Sequence, residues 1–327
     1  MQGGVKRVVG PLGVARNRKN TQELVGESVL TWDGSVKVKS FDEIASDPKQ
    51  VVRGFNMNKY QNMSGPQTRI ELERPPVSEE AISAEAEIMQ YLASRNLTTT
   101  IIPDVRVGNG NSMFMEYVDN PYPIKREGND VIEPDVAVEC MHQLAAGLFE
   151  IWQEEGILNF DIKFDNLRLT NTGDVKVIDW GAAIKQEIPG ADSVSSDEYR
   201  KKVSTMGYMP PETENKTTHL DIEKMIDYQV AAVTLRQLFG MQEVRDMLVT
   251  RGVGYEWKNM TMSPTQETFD TLWKESGIEL PRKLVEIMQI SLQENPQDRM
   301  SLSLTILSLE KVDYDDLVSY QGFAKKS

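Results

Sequence analysis

The sequence predicts an α+β fold in two lobes, a small lobe rich in β-strands and a larger lobe that is mostly helical. Up to residue 118 the patterns are those of hairpins and strands with one helix, and long helical patterns follow. The 327 residues exceed one average domain and can bury a sizeable core in two lobes. We expect four parts: a flexible basic arm (1–22), a small lobe (23–118), a large lobe (119–312) and a tail (313–327).

The small lobe begins with a hairpin pattern. Residues 29–39 contain an Asp-Gly pair between two apolar runs, which is typical of a short hairpin turn. A strand is expected at residues 68–73, and a helix follows at 78–92 with Ser78 or a neighbour as its cap. The apolar positions on one face of this helix are Ile82, Met89 and Leu92.

The large lobe follows an apolar strand at residues 112–118. Residues 134–155 have apolar side chains at spacings of three and four, which predicts one long amphipathic helix that ends at Gly156. Further helical patterns at residues 221–240 and 281–293 complete a mostly helical lobe.

Composition argues against several classes of protein. Cys140 is the single cysteine, so no internal disulfide forms and a reducing, cytoplasmic location is expected, with Cys140 as a core thiol. No stretch reaches the roughly 18 to 20 apolar residues of a membrane span, and no secretory signal is recognisable. The formal charge of −14 disfavours nucleic-acid binding. His142 and His219 lack partners at metal-ligand spacing, which argues against zinc.

The first 22 residues differ in charge from the rest of the chain. They contain five basic residues and no acidic one, whereas the whole chain has a net charge of −14. A flexible basic arm is the interpretation that we favour, and docking on an acidic partner is the alternative.

Residues 159–181 are the most informative segment. Asp161, Lys163 and Asn166 fall in the pattern Asp-x-Lys-x-x-Asn, and an apolar strand after a short turn leads to Asp179. Carboxylate and amide oxygens are the hard ligands that Mg²⁺ requires when it bridges a protein to phosphates. The segment therefore predicts a site for a nucleotide with magnesium, in which Asn166 and Asp179 hold the metal.

This segment resembles the catalytic loop and metal-binding motif of the eukaryotic-type protein kinases. The resemblance implies that Asp161 accepts or orients the proton of the acceptor hydroxyl, and that Lys163 steadies the transferred phosphate. It also implies ATP and Mg²⁺ or Mn²⁺ as cofactors. Lys163 at this loop position is similar to the Ser/Thr branch of the family.

Two motifs depart from the family pattern. The usual His-Arg-Asp reads Asn-Phe-Asp at residues 159–161, and the usual Asp-Phe-Gly reads Asp-Trp-Gly at 179–181. Loss of the His is expected to cost a packing and hydrogen-bonding role, whereas Trp180 keeps a large aromatic anchor. In the family the Arg is the partner of an activation-segment phosphate. Phe160 therefore predicts activity that does not wait for that phosphorylation.

Residues 204–212 look like the end of a kinase activation segment, Ser-Thr-Met-Gly-Tyr-Met-Pro-Pro-Glu. The resemblance places Thr205 beside the catalytic Asp and Lys, and it pairs Glu212 with Arg299. Asp227 matches the family's buried helix-capping Asp. Upstream in the same segment lies a polar stretch that we expect to be mobile. Its hydroxyl residues include Tyr199, and autophosphorylation is predicted at Ser193, Ser195 or Ser196.

The sequence up to residue 118 offers candidate nucleotide contacts. The strand before the large lobe ends in Met-Glu-Tyr-Val and resembles the kinase hinge, so the backbone of Glu116 to Val118 is expected to bind adenine. Met115 would be the gatekeeper, and a plain buried strand is the alternative. Residues 10–13 and 26–28 are both candidates for a phosphate-covering glycine loop, and neither has the full glycine motif.

The family's ion pair between a strand lysine and a helix glutamate has open alternatives. Glu85 is at the family's position for the glutamate, and one more surface acid is the other interpretation. No lysine occurs between residues 59 and 125, so the strand just before the helix cannot supply the partner. Lys37, in Ser-Val-Lys-Val, is the first candidate and Lys39 the second. An exposed edge-strand lysine is the alternative.

Together the motifs predict an ATP- and Mg²⁺-dependent protein kinase that phosphorylates Ser or Thr in a protein substrate, whose surface is expected to be basic. A pseudokinase or scaffold that binds partners without catalysis is the alternative. A small-molecule kinase of the aminoglycoside or choline type is a further one, but such kinases lack a segment like residues 204–212. The divergent small lobe is compatible with a viral or bacterial kinase that acts on host-cell proteins, or one that needs a partner.

Overall fold

The computed structural model describes residues 26–30, 36–40, 79–103, 105–107, 113–115, 124–126, 129–170, 172–202, 206–214, 219–240, 244 and 263–324. The chain divides into two compact units, Met1–Pro75 and Pro76–Ser327, which are described separately.

The first unit contains the predicted hairpin. Strand β1 (Gly26–Leu30) pairs with strand β2 (Val36–Ser40) in antiparallel fashion, with Val29 opposite Lys37. Both lysine candidates therefore lie on β2, and the glycine-loop candidate at residues 26–28 lies within β1. The other candidate, at residues 10–13, lies outside the described residues.

The second unit begins with helix α1 (Glu79–Ser94), which confirms the predicted helix. Met89 and Leu92 are fully buried, as the apolar pattern predicted. Two short antiparallel pairs follow: β3 (Val105–Val107) with β4 (Met113–Met115), and β5 (Ile124–Arg126) with β6 (Asn129–Val131). The strand predicted at residues 68–73 and the cap at Ser78 lie outside the described residues.

Helix α2 (Pro134–Glu155) has the predicted bounds. Pro at its first turn suits helix initiation, and Gly156, with φ 65°, ends it by donating its N–H to Trp152 O at 3.0 Å. Burial raises the pKa of Cys140 on this helix to about 12, in keeping with a core thiol. At Gly147 a Cβ would lie 2.4 Å from Thr99 Oγ1, so the chain before β3 packs directly on the α2 backbone.

Two strand pairs lie on either side of residues 160–166, which the resemblance identifies as the catalytic loop. Strand β7 (Ile157–Asn159) precedes the loop and pairs with β10 (Ala183–Lys185), whereas β8 (Leu167–Leu169) follows it and pairs with β9 (Val175–Val177). Both pairs are antiparallel. The loop is thus held at both of its ends.

The remainder is mostly helical around one central helix, α4. In chain order its elements are β11 (Ser193–Ser195), α3 (Ser196–Lys202), β12 (His219–Asp221), α4 (Ile222–Phe239), α5 (Gln266–Ser276), β13 (Leu280–Pro281), α6 (Arg282–Ser291), α7 (Leu302–Leu309), β14 (Leu317–Val318) and α8 (Tyr320–Ala324). β11 pairs with β12, and β13 with β14. Helix α4 is buried on all sides and contacts α2, α5, α6 and α7, as expected for a core helix.

The α+β class and the helices predicted at 221–240 and 281–293 are confirmed. The capping role predicted for Asp227 is wrong, because Asp221 is the cap and accepts a hydrogen bond from Lys224 N at 3.1 Å. Asp227 is buried inside α4, where it accepts hydrogen bonds from Thr305 Oγ1 at 2.6 Å and Ser291 Oγ at 3.1 Å. In the described part of the chain, no helix is long and apolar enough to cross a membrane.

Candidate active site

The catalytic loop brings together three of the predicted residues. Lys163 Nζ donates a hydrogen bond to Asp161 Oδ2 at 2.5 Å. Asn166 Nδ2 donates to the backbone oxygen of Asp161 at 2.9 Å and to its Oδ2 at 3.3 Å. Asp161 is 7% exposed, and its second oxygen, Oδ1, is buried without a hydrogen-bond partner among the described residues. One carboxylate oxygen is therefore fixed by the loop, and the other is left for a further hydrogen-bond donor.

The β8–β9 hairpin places Asp179 near this loop. Leu167 lies opposite Val177, and Ile178 N donates to Asn166 O at 2.9 Å, so Asn166 and the residue before Asp179 share one end of the hairpin. Asp179 Oδ1 accepts a hydrogen bond from Gly181 N at 3.0 Å. A Cβ at Gly181 would lie 3.3 Å from that oxygen, which explains the glycine at this tight turn.

The donor set suits a magnesium nucleotide. Because Asn166 Nδ2 is bonded to Asp161, the amide oxygen Oδ1 is the atom that Asn166 can offer to a cation. With the carboxylate of Asp179, it forms the pair of hard oxygen ligands that Mg²⁺ uses when waters and phosphates complete its shell. The residues present therefore fit the metal by the chemistry of their donor atoms.

Asn159, at the position of the family's His, makes two hydrogen bonds, so hydrogen bonding is kept at this position. The expected loss of packing stays a prediction. Asn159 Nδ2 donates to the backbone oxygen of Asp179 at 2.7 Å, and its Oδ1 accepts from Asp161 N at 3.0 Å. Asn159 is 4% exposed. One buried amide thus links the backbones of the two catalytic motifs. The sequence shows an amide at this position but not the direction in which it points.

Glu85 on α1 is not a surface acid, since it is 4% exposed. Its Oε1 accepts a hydrogen bond from Trp180 N at 3.0 Å. Trp180 is fully buried and donates its indole N–H to Val177 O at 2.9 Å, which confirms it as an aromatic anchor. Helix α1 therefore contacts the backbone of the Asp-Trp-Gly motif. The side chains of Lys37 and Lys39 are outside the described set, and their pairing with Glu85 stays a prediction.

A partly buried polar cluster fixes the far end of α1. Glu155, at the end of α2, accepts hydrogen bonds from Tyr91 Oη at 2.6 Å and Arg95 Nε at 2.5 Å. Burial alone would raise the pKa of Glu155, but these two hydrogen bonds lower it below its ordinary value. The ammonium of Lys185 lies 4.0 Å from the centre of the Tyr91 ring. α1 is thus anchored on α2 and β10.

The predicted pair of Glu212 and Arg299 is confirmed. Arg299 Nη1 donates to Glu212 Oε1 at 2.8 Å and Nη2 to Oε2 at 2.7 Å, a bidentate geometry. The Arg299 side chain is 0% exposed, and it also donates to the backbone oxygens of Gln293 and Glu294. Its guanidinium lies 4.8 Å from the ring centre of Tyr228. This pair fixes the end of the activation segment on the helical core.

Tyr208 connects the same segment to the catalytic loop. Its hydroxyl accepts a hydrogen bond from Phe164 N at 3.3 Å, and Arg236 of α4 lies 4.0 Å from its ring centre. Arg236 Nη2 also donates to Gly207 O at 2.6 Å. Burial raises the pKa of Tyr208 to about 12, so the phenol remains protonated at neutral pH.

The upstream part of the segment is more ordered than expected. Ser193 and Ser195 lie in β11, paired with Asp221 and His219 of β12. Ser196 and Tyr199 are 0% exposed. Phosphorylation of Ser196 would require local opening, because the residue is fully buried, whereas Ser193 is exposed. Autophosphorylation at these serines stays a prediction. The polar sequence of this stretch did not predict the packed strand β11 and helix α3.

Some predicted site residues lie outside the described residues. These are Thr205, the hinge residues Glu116 and Val118, and the side chain of Met115. Their roles stay predictions. Conversely, the structure adds Gln229 and Arg236, which contact the catalytic loop and the activation segment from α4. The sequence did not single them out, because α4 contains further polar residues such as Asp227, Thr234 and Gln237.

Three features together define a kinase-type phosphotransferase fold. They are a loop with a partly satisfied buried aspartate, an asparagine and an aspartate next to it at one end of a hairpin, and a downstream segment held by an ion pair. The chain belongs to the protein kinase family: the family model described as protein kinase domain matches residues 57–309. The β1–β2 hairpin with Lys37 precedes the matched residues.

Individual relatives are distant. The chain is 28% identical to the CTD kinase subunit alpha of Saccharomyces cerevisiae over 163 residues, which are 47% of this chain and 28% of that protein. It is 36% identical to the G protein-coupled receptor kinase 4 of Rattus norvegicus over 94 residues, 29% of this chain and 15% of that protein. It is 26% identical to the serine/threonine-protein kinase grp of Drosophila melanogaster over 172 residues, 51% of this chain and 31% of that protein. The chain spans less than a third of the length of each.

Proposed function

We propose that this chain is an ATP- and Mg²⁺-dependent protein kinase that transfers the γ-phosphoryl group of ATP to Ser or Thr hydroxyls of a protein substrate. One observation above all supports it. Asp161 has one oxygen held by Lys163 and Asn166, and a buried second oxygen, Oδ1, with no partner among the described residues. A buried acceptor without a donor is costly for a folded protein unless a ligand satisfies it.

In this function Asp161 Oδ1 accepts the hydrogen bond of the substrate hydroxyl. The hydroxyl oxygen attacks the γ-phosphorus, the bond from that phosphorus to the β,γ-bridging oxygen breaks, and the hydroxyl proton passes to Asp161. ADP leaves with the electron pair of the broken bond. Lys163, fixed against Asp161 at 2.5 Å, places a positive charge beside the transferred group.

Asn166 and Asp179 are the proposed metal ligands. These two residues would hold Mg²⁺, which would supply positive charge to offset the charge that develops on the phosphates. Asn159 fixes the backbones that carry Asp161 and Asp179, and Glu85 fixes the backbone that follows Asp179. The two acidic groups are thus held in position before the nucleotide arrives, which is the main task of a protein in phosphoryl transfer.

The remaining contacts follow from the family resemblance. The backbone of Glu116 to Val118 is proposed to bind the adenine edge. Lys37, or Lys39 as the second candidate, is proposed to hold the nucleotide phosphates and to pair with Glu85. The family match begins after both lysines, so chemical labelling at the nucleotide site is the test of which lysine contacts the phosphates. An ATP-derived acyl phosphate that labels Lys37 or Lys39 would identify which one lies at the nucleotide.

The choice of Ser or Thr as acceptor is supported by Lys163 in the catalytic loop and by Thr205, which the resemblance places beside it. One of the relatives is named as a serine/threonine-protein kinase. Phosphoamino-acid analysis of a labelled substrate tests this assignment directly. Phosphotyrosine as the main product would contradict it.

The experiment that tests the function is transfer of radiolabelled phosphate from ATP, with Mg²⁺ or Mn²⁺, to a basic acceptor protein. We expect the wild type to label the acceptor, and Asp161→Asn and Asp179→Asn to lose labelling. Asp313→Asn is the matched control, because it makes the same change at an exposed residue after α7 and should label like the wild type.

A folded wild type that transfers no phosphate, with cell extract present as a source of activators, would overturn the proposal. The protein would then be a pseudokinase that acts by binding. Labelling of small hydroxyl compounds in preference to every protein acceptor would instead favour the small-molecule kinase alternative.

A further inference from the structure

A buried cluster of three side chains joins the catalytic loop to the activation segment and to α4. Phe160 immediately precedes Asp161, Tyr199 lies on α3, and Gln229 lies on α4. The rings of Phe160 and Tyr199 meet edge to face, with 4.9 Å between centroids and 64° between planes. Gln229 Nε2 donates to Phe160 O at 3.2 Å and contacts Tyr199 Oη at 2.9 Å. All three residues are at most 1% exposed.

The cluster fixes a specific part of the segment. Tyr199 belongs to the short helix that follows β11, and its neighbour Arg200 donates from Nη1 to Thr213 O at 2.8 Å. Thr213 is 0% exposed and is adjacent to Glu212, which Arg299 holds. Helix α3 therefore connects the contact at Tyr199 to the part of the segment that precedes α4.

The cluster is apolar and neutral where it touches the catalytic loop. Phe160 has no charge with which to attract a phosphate, and it is packed against a ring instead. Burial raises the pKa of Tyr199 well above its ordinary value, so the phenol stays neutral. A phosphate on Tyr199 would need the segment to open first, because the hydroxyl is fully enclosed.

We propose that Tyr199 and Gln229 are positioning residues that hold the activation segment on the catalytic loop through the ring of Phe160, without a phosphate. For its catalytic consequence this role rests on the function proposed above. Its structural consequence, an ordered α3 in the unphosphorylated chain, is independent of catalysis. The two consequences need separate measurements.

The structural measurement is hydrogen exchange of the amides of residues 193–202 in the full, unphosphorylated chain. In Tyr199→Ala, we expect these amides to exchange roughly tenfold faster or more, because the ring contact is lost and a cavity remains. Tyr199→Phe keeps the ring and should exchange within about threefold of the wild type. Gln229→Leu keeps the volume but loses both hydrogen bonds, and should lie between the two.

Phe269→Leu is the matched control. Phe269 is a fully buried aromatic residue of α5 whose ring packs on Phe239 and Trp273. The Phe269→Leu substitution should lower the melting temperature without faster hydrogen exchange of the amides of residues 193–202. Equal exchange in Tyr199→Ala and the wild type, or equal acceleration in Phe269→Leu, would overturn the structural role.

The catalytic measurement compares phosphatase-treated and untreated wild type, with phosphate content checked by mass spectrometry. We expect equal rates within about twofold, and a rise in the KM for the protein acceptor in Tyr199→Ala that Tyr199→Phe largely rescues. Loss of activity after phosphatase treatment would overturn the phosphate-free role. If the wild type transfers no phosphate at all, the proposed function fails and the exchange data alone decide the role of Tyr199.

Discussion

The catalytic loop and the activation segment are held in the same protein by different kinds of interaction. In the loop, Lys163 and Asn166 donate hydrogen bonds to Asp161, and one buried oxygen of Asp161 has no partner among the described residues. In the segment, a bidentate ion pair and buried aromatic rings make the contacts that hold it on the core. The loop keeps an unsatisfied group for a ligand, whereas the segment is stabilised by its own contacts. Substitutions in the two regions should therefore have different consequences.

Among substitutions that leave Asp161 itself in place, the largest effect on rate is expected at Lys163. Lys163→Met removes the charge beside Asp161, and we expect the phosphoryl-transfer rate to fall by roughly a hundredfold or more because transition-state charge loses its partner. The free energy of unfolding should fall less than in Arg299→Met, since Lys163 is 17% exposed and Asp161 keeps its hydrogen bonds from Asn166. Steady-state kinetics and urea unfolding on the same preparation check both statements. Loss of stability in proportion to loss of rate would contradict the distinction between the two regions.

Substitution of Arg299 should reduce the free energy of unfolding more strongly than substitution of Lys163 does. Arg299→Met leaves Glu212 without its partner at a site where the Arg299 side chain is 0% exposed. Breaking such a pair costs about 3–5 kcal/mol of unfolding free energy. Urea unfolding measures the loss. Glu212→Gln combined with Arg299→Met should recover part of it, and no recovery would show that the pair is not the cause.

Asn159 lies between the two motifs and should have a smaller effect. Asn159→Ala removes the two hydrogen bonds that this side chain makes with the backbones of Asp161 and Asp179, which costs about 1–3 kcal/mol. Thermal unfolding and the transfer rate should both decline. Asn159→His restores the family's usual residue and should keep more of both. A fully active, fully stable alanine variant would contradict the bridging role.

The smallest expected effect concerns pH. Burial raises the pKa of Asp227 to about 6, partly offset by hydrogen bonds from Thr305 and Ser291. Because the folded pKa lies above the unfolded value of 3.8, the folded state binds the proton more tightly, and stability falls as pH rises from about 4 through 6. Above pH 6 the cost is fully present. Between pH 5 and 8 we expect the melting temperature to fall less for Asp227→Asn than for the wild type. An equal fall in both proteins would contradict this cause.

The large lobe was readable from the sequence where local signals agree. Helix α2 has the predicted bounds because an apolar stripe, a proline at its start and Gly156 after its end indicate the same helix. The candidate catalytic residues Asp161, Lys163, Asn166 and Asp179 could be proposed from the sequence because they have a recognisable spacing on a loop and hairpin. Glu212 and Arg299 were paired by the family resemblance, and the structure confirms the contact.

Other features depend on packing that a single sequence does not show. Glu85 was one acid among several on its helix, and only its burial against Trp180 distinguishes it. The polar stretch around Tyr199 suggested mobility, yet the ring is enclosed by Phe160 and α4. The direction of the Asn159 amide and the partners of Asp227 likewise follow from tertiary contacts over long sequence separations.

The most direct measurement is the rate and the unfolding free energy of Asp161→Asn, determined on one preparation beside the wild type and Asp313→Asn. The substitution keeps the shape of the side chain but removes the proton acceptor. We predict that the transfer rate falls by roughly 10² to 10⁴ while the unfolding free energy stays within about 1 kcal/mol of the wild type. A variant that retains more than about a tenth of the wild-type rate would contradict the assignment of Asp161 as the acceptor of the substrate proton.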